Sequence, residues 1–444
     1  MTVTASRRCA FAVVRRVFEH EAYADRAFRA EAERAGLAGR DRAFAMRLAY
    51  GAVQRKLTLD FLIERLSERS PSKLDPAVTA ALRLGIYQIA FMERVPDHAA
   101  VGESVELAKQ SGTRGIGLVN AVLRRAAREA RGTVASLSDE TPAEAALRHS
   151  HPEWIARLWW EVLGSQEARA LMERDNEPAE SAVRANTLVT DAASLSEALS
   201  TAGVTCHVVA DLPEALVVDG PFDAHGSVQY ARGELMPQSR ASMLVTRVLD
   251  PKPGERVLDL CAAPGAKTTH IGALMNSEGE IVAVEANRDR ASSTTENCRR
   301  LGIESVRVLV GDASEPTFGD RYDRVLVDPP CSDLGTLQSR PDARWRKSTD
   351  QVTDLAALQA RMLEAGAAAL GQGGVLVYST CTIDPEENER QIDSFLGRHR
   401  TFAALDLSER APGLVSANNR RFLQTLPHRD GTEGFFIAAL RRES

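Results

Sequence analysis

Arg256-Val-Leu-Asp259-Leu-Cys-Ala-Ala-Pro-Gly265-Ala-Lys267-Thr-Thr is the stretch whose reading decides the fold. Its apolar run (Val257, Leu258, Leu260) ends in small residues and a glycine, and a helix-like segment, Thr268 to Met275, follows. That is the strand–turn–helix opening of a nucleotide-type α/β sheet. Small side chains let the backbone approach a ligand, and a helix start offers free N–H groups. Asp259, near the strand end, supplies a carboxylate for a polar or cationic ligand group. The loop is neither G-x-G-x-x-G nor the P-loop pattern, which argues against a dinucleotide or a P-loop phosphate. A tight structural turn would look the same locally; the flanking sequence decides between the two.

Downstream, strands and helices alternate from Asp250 onward, the pattern of βαβ units and a parallel sheet. Strands are predicted at 256–261, 280–286, 305–310, 322–328, 374–380 and 435–441, with helices near 266–275, 288–301 and 350–370. Glu285 ends the second strand, where an acidic residue can accept both hydroxyls of a ribose. Asp312 ends the third, in reach of an adenine amino group. Carboxylates at three successive strand ends, without a pyrophosphate turn, fit a nucleoside with a cationic tail. S-adenosylmethionine is that molecule.

The fourth strand runs into Asp328-Pro-Pro-Cys331-Ser332 and the fifth into Tyr378-Ser-Thr-Cys381-Thr382. Prolines beyond a strand end stiffen the backbone and leave neighbouring carbonyls able to accept from a flat, amine-bearing ring. Asp-Pro-Pro alone would equally suit methylation of an amino group on adenine or cytosine. Two cysteines at adjacent strand ends argue otherwise. Cytosine C5 is too weak a nucleophile to take a methyl group unaided; a thiolate adding at C6 makes it enamine-like, and a base must then remove the C5 proton. One thiolate and one acid/base partner are required. Either cysteine alone reads more readily as a small buried hydrophobe; the pair reads as chemistry. The residues do not say which cysteine attacks.

Upstream, residues 6–131 carry apolar positions at three- and four-residue spacing, as in Ala10-Phe11-Val14-Val17-Phe18 and Leu57-Phe61-Leu62-Leu66, and predict a compact all-α domain of five to seven helices. Residues 1–135 hold 23 basic against 15 acidic side chains, a net +8, so the rest of the chain carries −14 within the overall −6. A basic front end on an acidic body points to phosphates, although a solvated arginine-rich surface has the same charge. Residues 132–145 form a polar connector, and 146–180 read as helical with tryptophans at 154, 159 and 160, as core or as a base-stacking surface. From Ala182 a small α+β module follows, in which Arg184 and Asn186 are candidate RNA contacts.

At 444 residues two or three domains are expected. A composition 44% hydrophobic and 26% charged is that of a soluble globular protein. No apolar run approaches the roughly 20 residues of a membrane span, and Met1-Thr-Val-Thr-Ala-Ser-Arg-Arg lacks a signal-peptide core. The six cysteines are scattered without a CxxC pair, which suggests thiols in a cytoplasmic protein and no metal site.

Two resemblances add to this. Asp41-Arg-Ala-Phe-Ala-Met-Arg-Leu-Ala-Tyr-Gly51, Leu82-Arg-Leu-Gly85-Ile-Tyr-Gln and Val119-Asn-Ala-Val-Leu-Arg resemble the NusB-type RNA-binding domain over about 125 residues. The Asp259–His270 stretch, Asp328-Pro-Pro-Cys-Ser-Asp-Leu-Gly-Thr-Leu337 and Tyr378-Ser-Thr-Cys-Thr with Glu386-Glu-Asn-Glu389 resemble the Sun-type RNA cytosine-5 methyltransferases. The whole chain is similar to the bacterial members that methylate a cytosine of 16S ribosomal RNA. A transfer RNA substrate, or a NusB-like binding factor with an inactive methyltransferase domain, are the alternatives. The fold implied is multidomain: an all-α NusB-like bundle (1–135), linker helices and a small α+β, RRM-like module (146–235), and a Rossmann-like class I methyltransferase domain (236–444).

The resemblance implies that Cys381 is the nucleophile, that Cys331 assists release, and that Asp328 holds the cytosine at N3/N4; Lys267 completes the catalytic candidates. DNA cytosine-5 enzymes carry their nucleophile in a Pro-Cys element, which would select Cys331 instead. The cofactor, S-adenosylmethionine, is expected on Cys261, Ala262, Ala263, Pro264, Gly265, Ala266 and Lys267, with Asp259, Glu285, Asp312 and Asp328. Two departures stand out: Ala266 replaces a usual glycine, and Ser239 follows Gln238 where Gln-Asp is common. Arg340-Pro-Asp-Ala-Arg344-Trp-Arg346-Lys347 offers Arg344 and Arg346 as phosphate partners and Trp345 as a stacking ring, unless it is merely a solvated loop. The partner expected is RNA, as 16S ribosomal RNA or the assembling small subunit, bound by a monomer without membrane or metal.

Overall fold

The computed structural model describes residues 2–220, 222–315, 318 and 321–443, which fall into two compact units. One comprises the chain through Pro178 together with Leu337–Arg346; the other comprises Ala179–Thr336 and Lys347–Ser444.

The first unit is all helix. Seven helices (Ala5–Glu19, Ala24–Arg34, Gly39–Gln54, Lys56–Ser67, Pro76–Phe91, Asp97–Gln110 and Ile116–Ala135) surround one apolar core, and three more follow at Pro142–His149, Glu153–Leu163 and Ser165–Arg174. Pro76–Phe91 is the central one: Asp75 caps its first turn by accepting from Ala77 N at 2.8 Å, and every residue from Ala77 to Ile89 is buried. A helix apolar all round has to sit inside. Gly51 is required beside it, because a Cβ there would lie 2.0 Å from the Tyr87 ring. Trp159 is wholly buried and packs edge-on against His151 at 5.4 Å, while Trp154 and Trp160 are half-buried. Trp159 is therefore core, not a stacking surface.

The second unit holds two sheets. β1 (Ala182–Ala185), β2 (Cys206–Val209), β3 (Leu212–Val218) and β4 (Leu235–Pro237) form an antiparallel sheet in the order β2-β3-β1-β4, with the helix Ala192–Thr201 crossing between β1 and β2. That is the strand order of a split βαβ, ferredoxin-like module.

The large sheet contains β5 (Arg256–Leu260), β6 (Glu280–Glu285), β7 (Val306–Val310), β8 (Tyr322–Val327), β9 (Leu370–Thr380), β10 (Phe402–Ala404), β11 (Leu423–Gln424) and β12 (Phe436–Arg442). Its order is β10-β12-β9-β8-β5-β6-β7, with β11 beside β12. Strands β5 to β9 run parallel and β12 runs antiparallel to β9. Both faces are apolar: Leu258, Leu260, Val325, Val327 and Leu376 on one, Val257, Ile281, Leu326, Val377 and Ile437 on the other. The chain winds outward from β5 in one direction and from β8 in the other, so β5 and β8 flank the switch point where such sheets place ligands beyond their carboxyl ends. The expected class I methyltransferase sheet is present. Its helix Arg240–Leu249, capped by Ser239, and the short strands β4, β10 and β11 are additions to the sequence reading.

Candidate active site

The turn after β5 does what its small residues allow. Cys261 takes a left-handed backbone (φ 67°), Ala263–Pro264 is cis, and Gly265 sits at φ 98° with Thr294 packed against it. Asp259, Cys261, Ala262, Ala263, Pro264, Ala266, Lys267 and Asp328 together line a cleft. Asp259 is buried at its floor and accepts from Thr268 Oγ1 at 2.6 Å. Burial, aided by the negative charge of Asp328, pushes its carboxyl up to about 7. Burial also pushes the Cys261 thiol upward, away from ionisation.

Around the rim, Glu285 is buried, accepts from Asn287 N at 2.9 Å and lies 3.4 Å from the Arg290 guanidinium. Arg290 also donates to Ala263 O at 3.2 Å, tying the β6 end to the β5 loop; no sequence motif marked it. Asp312 is exposed. Its carboxylate accepts from Ser314 N and Oγ, each at 2.8 Å, and these bonds lower it from the ordinary carboxylate range.

Between this cleft and the cysteines stands an ion pair, Lys267 Nζ to Asp328 Oδ2 at 2.8 Å. Burial alone would discharge Lys267; pairing with Asp328 outweighs it and raises the ammonium's pKa instead. Beyond the pair, Cys331 Sγ and Cys381 Sγ lie 3.0 Å apart as two thiols, with no disulfide between them. Cys331 is buried and Cys381 half-buried. Asp333 joins them, its Oδ1 3.3 Å from Cys381 Sγ and its Oδ2 3.6 Å from Lys347 Nζ.

Further hydrogen bonds hold this geometry. Glu387 accepts from Ser332 N at 2.9 Å, from the Ser332 hydroxyl and from Gln359 Nε2 at 2.8 Å. Gln359 also donates to Pro330 O at 2.9 Å. The β8 and β9 loops are thus clamped by one buried carboxylate, which gives Glu386-Glu-Asn-Glu389 a structural role that the sequence alone did not reveal. Gly335 N donates to Cys381 O at 2.9 Å, and Gly434 N to Gly335 O at 2.7 Å. Asp333 and Lys347 were missed as well, although Asp333 stands two residues after Cys331 in the quoted motif.

The expected RNA contacts need correction. Arg184 is 1% exposed, and its guanidinium donates to Gln238 Oε1 and Ala266 O at 2.7 Å and to Thr269 Oγ1 at 3.0 Å. Asn186 is equally buried and donates to Gly233 O and Leu301 O. Both fasten the small module to the catalytic sheet's helices and present nothing to RNA. Arg344, at 0% exposure, donates to the carbonyls of Gln54, Ser150, Asp175 and Leu337 and to Asn176 Oδ1. Trp345 Nε1 donates to Val53 O at 2.7 Å, and Arg346 pairs with Asp342 at 2.6 Å and donates to Glu21 O. Residues 341–346 anchor the helical unit, with Arg344 wholly interior and the Arg346 guanidinium engaged by Asp342 and Glu21 O, while Arg340 is exposed and Lys347 belongs to the other unit. Ser239 has a structural task too: it accepts from Ser242 N and donates to Glu433 at 2.7 Å.

Comparison with known proteins agrees with this architecture. The family described as "16S rRNA methyltransferase RsmB/F" matches residues 246–441, the NusB family 4–128, and the "Methyltr_RsmF/B-like, ferredoxin-like domain" 151–225. A Bacillus subtilis protein named "Probable ribosomal RNA small subunit methyltransferase B" is 34% identical over 100% of both chains. The Vibrio vulnificus "Ribosomal RNA small subunit methyltransferase B" is 32% identical over 91% of this chain and 92% of its own. Among solved structures, PH0851 superposes with TM-score 0.86 at 27% identity over 99% of both chains. NSun6 from Pyrococcus horikoshii with SFG does so with TM-score 0.61 at 26% identity over 66% of this chain and 98% of its own. With a NusB-like bundle, a ferredoxin-like module and a doubly wound sheet carrying two thiols at its switch point, the chain belongs to the RsmB/F methyltransferase family.

Proposed function

We propose that this protein methylates C5 of a cytosine in 16S ribosomal RNA, using S-adenosylmethionine and a covalent bond between Cys381 and C6. The observation that carries the reading is the pair of thiols 3.0 Å apart at the ends of β8 and β9, beside the Lys267–Asp328 ion pair. The ribosomal substrate is supported by what the relatives are named for.

The cleft suits the cofactor. Its walls are the small side chains of Cys261, Ala262, Ala263 and Ala266 with Pro264, which let a flat nucleoside approach the backbone. Glu285 would hold the ribose, Asp312 the adenine amino group, and the carboxylates of Asp259 and Asp328 face the cationic end. When bound, S-adenosylmethionine supplies an electrophilic methyl group on a sulfonium. The protein's part is to make C5 accept it. Cys381, the more accessible thiol, adds to C6; Asp328 receives the ring at N3/N4 and Lys267 keeps that carboxylate oriented. Cys331, whose sulfur lies 3.0 Å from that of Cys381, gives up its own proton and as the thiolate takes the C5 proton so that the Cys381 sulfur can leave. The target base must leave its stack to enter the pocket.

Small-subunit RNA incubated with methyl-labelled cofactor, digested to nucleosides and chromatographed, is expected to carry the label in 5-methylcytidine. Label in N4-methylcytidine or N6-methyladenosine would overturn the reading in favour of amino-group transfer.

A further inference from the structure

We propose that Asp333 is the group that takes the thiol proton of Cys381 as its sulfur adds to C6, with Lys347 holding the carboxylate in place. This rests on the reading of Cys381 as nucleophile.

Adding a thiol to a carbon requires the proton to go somewhere, and an ordinary thiol is mostly protonated at neutral pH. Among the described residues, three charged or titratable groups facing Cys381 Sγ come from two loops. Lys267, after β5, is cationic and engaged with Asp328. Cys331 is a second thiol and has a later task in the reaction. Asp333 presents a carboxylate oxygen 3.3 Å from the sulfur, within hydrogen-bond reach of its thiol. The sulfur, oxygen and sulfur atoms of Cys331, Asp333 and Cys381 all lie within 4.8 Å of one another.

Asp333 is held there by its surroundings. Its backbone is left-handed (φ 62°), a conformation L-residues seldom adopt and which clusters at functional sites. Thr336 N and Oγ1 both donate to Asp333 O at 3.0 Å, and the next residue but one is fixed to Cys381 O. Lys347 bridges the trio, 3.6 Å from Asp333 Oδ2 and donating to Cys331 O at 3.0 Å.

The step balances. The S–H bond breaks and its proton passes to Asp333 Oδ1 as the S–C6 bond forms; the C5–C6 π pair moves so that C5 becomes electron-rich and charge accumulates toward N3. Once the electron-rich C5 has taken the methyl group, Cys331 acts as the thiolate, its own proton given up to solvent, and takes the C5 proton; the C5–H pair restores the C5–C6 double bond, the C6–S bond breaks onto sulfur, and Asp333 returns its proton to Cys381.

The test follows the rate of protein–RNA adduct formation against pH in a Cys331→Ala background that retains the adduct. Three proteins are compared there: one with Asp333 intact, one with Asp333→Asn and one with Asp333→Glu. Asp333→Asn is expected to slow adduct formation about 10²–10⁴-fold at pH 7. The deficit should shrink above pH 9, where thiolate forms unaided, and Asp333→Glu should recover part of the rate. Unchanged cofactor binding by each variant excludes misfolding. A carboxylate that merely opposes thiol ionisation by its charge gives the opposite sign: Asp333→Asn would be as fast or faster at pH 7, with the acid limb moved down, and the proposal would be wrong. No adduct from the protein with Asp333 intact, at any pH, would remove Cys381 as nucleophile and the Asp333 role with it.

Discussion

Asp259 carries a measurable consequence of its burial. Its carboxyl titrates at about 7 in the folded protein, against roughly 4 in an unfolded chain. The folded state therefore binds that proton more tightly, and the stability it confers is full below pH 4 and lost as pH rises through 7. Asp259→Asn, which keeps an amide oxygen for Thr268, should raise the free energy of unfolding by up to about 4 kcal/mol at pH 8 and by clearly less at pH 5. Denaturant titrations at the two pH values measure this; equal gains at both would contradict it. Residue identity alone brought Asp259, Glu285, Asp328, Cys331 and Cys381 to notice because their chemistry is unusual at strand ends. It misled for Arg184, Asn186, Arg344 and Arg346. Charge is written in a sequence and burial is not, and a buried guanidinium whose donors meet backbone carbonyls has the same letter as one that meets phosphate.

At the scale of elements, the site depends on how the β8 and β9 loops are locked together. Gly335 crosses Gly434 so closely that a Cβ would lie 1.9 Å from Gly434 O, a backbone atom that cannot swing aside. Gly335→Ala must therefore displace the loop that bears Cys331 and Asp333. Methyl transfer should fall at least 10²-fold, while cofactor affinity, set at the β5 loop, stays within a few-fold; a misplacement of about 1 Å has that effect on rate. Kinetics beside cofactor titration measure the two, and a loss confined to cofactor binding would contradict the account. The strands themselves were legible because a parallel sheet buried on both faces demands continuous apolar runs. The short strands β4, β10 and β11 were not, since two or three residues carry no period.

For the whole molecule, alternation of strands and helices after Asp250 gave the catalytic fold, and the helical period before residue 131 gave the bundle. The division into units was less legible: Leu337–Arg346 lies within the catalytic stretch of sequence yet packs as part of the helical unit. Its anchor is Arg344. Arg344→Met leaves several buried carbonyls without donors and should destabilise the helical unit by about 3–5 kcal/mol, visible as an earlier thermal transition. If Arg344 were a phosphate contact, stability would be unchanged and RNA affinity would fall with a shallower salt dependence. The central claim is covalent catalysis by Cys381, and trapping tests it most directly. Wild type, Cys381→Ala and Cys331→Ala would be incubated with small-subunit RNA and labelled cofactor and run on denaturing gels. The account predicts methyl transfer by wild type, none by Cys381→Ala, and a protein–RNA band retained by Cys331→Ala. A band trapped by Cys381→Ala, with Cys331→Ala inactive and free of adduct, would reverse the two thiols and contradict it.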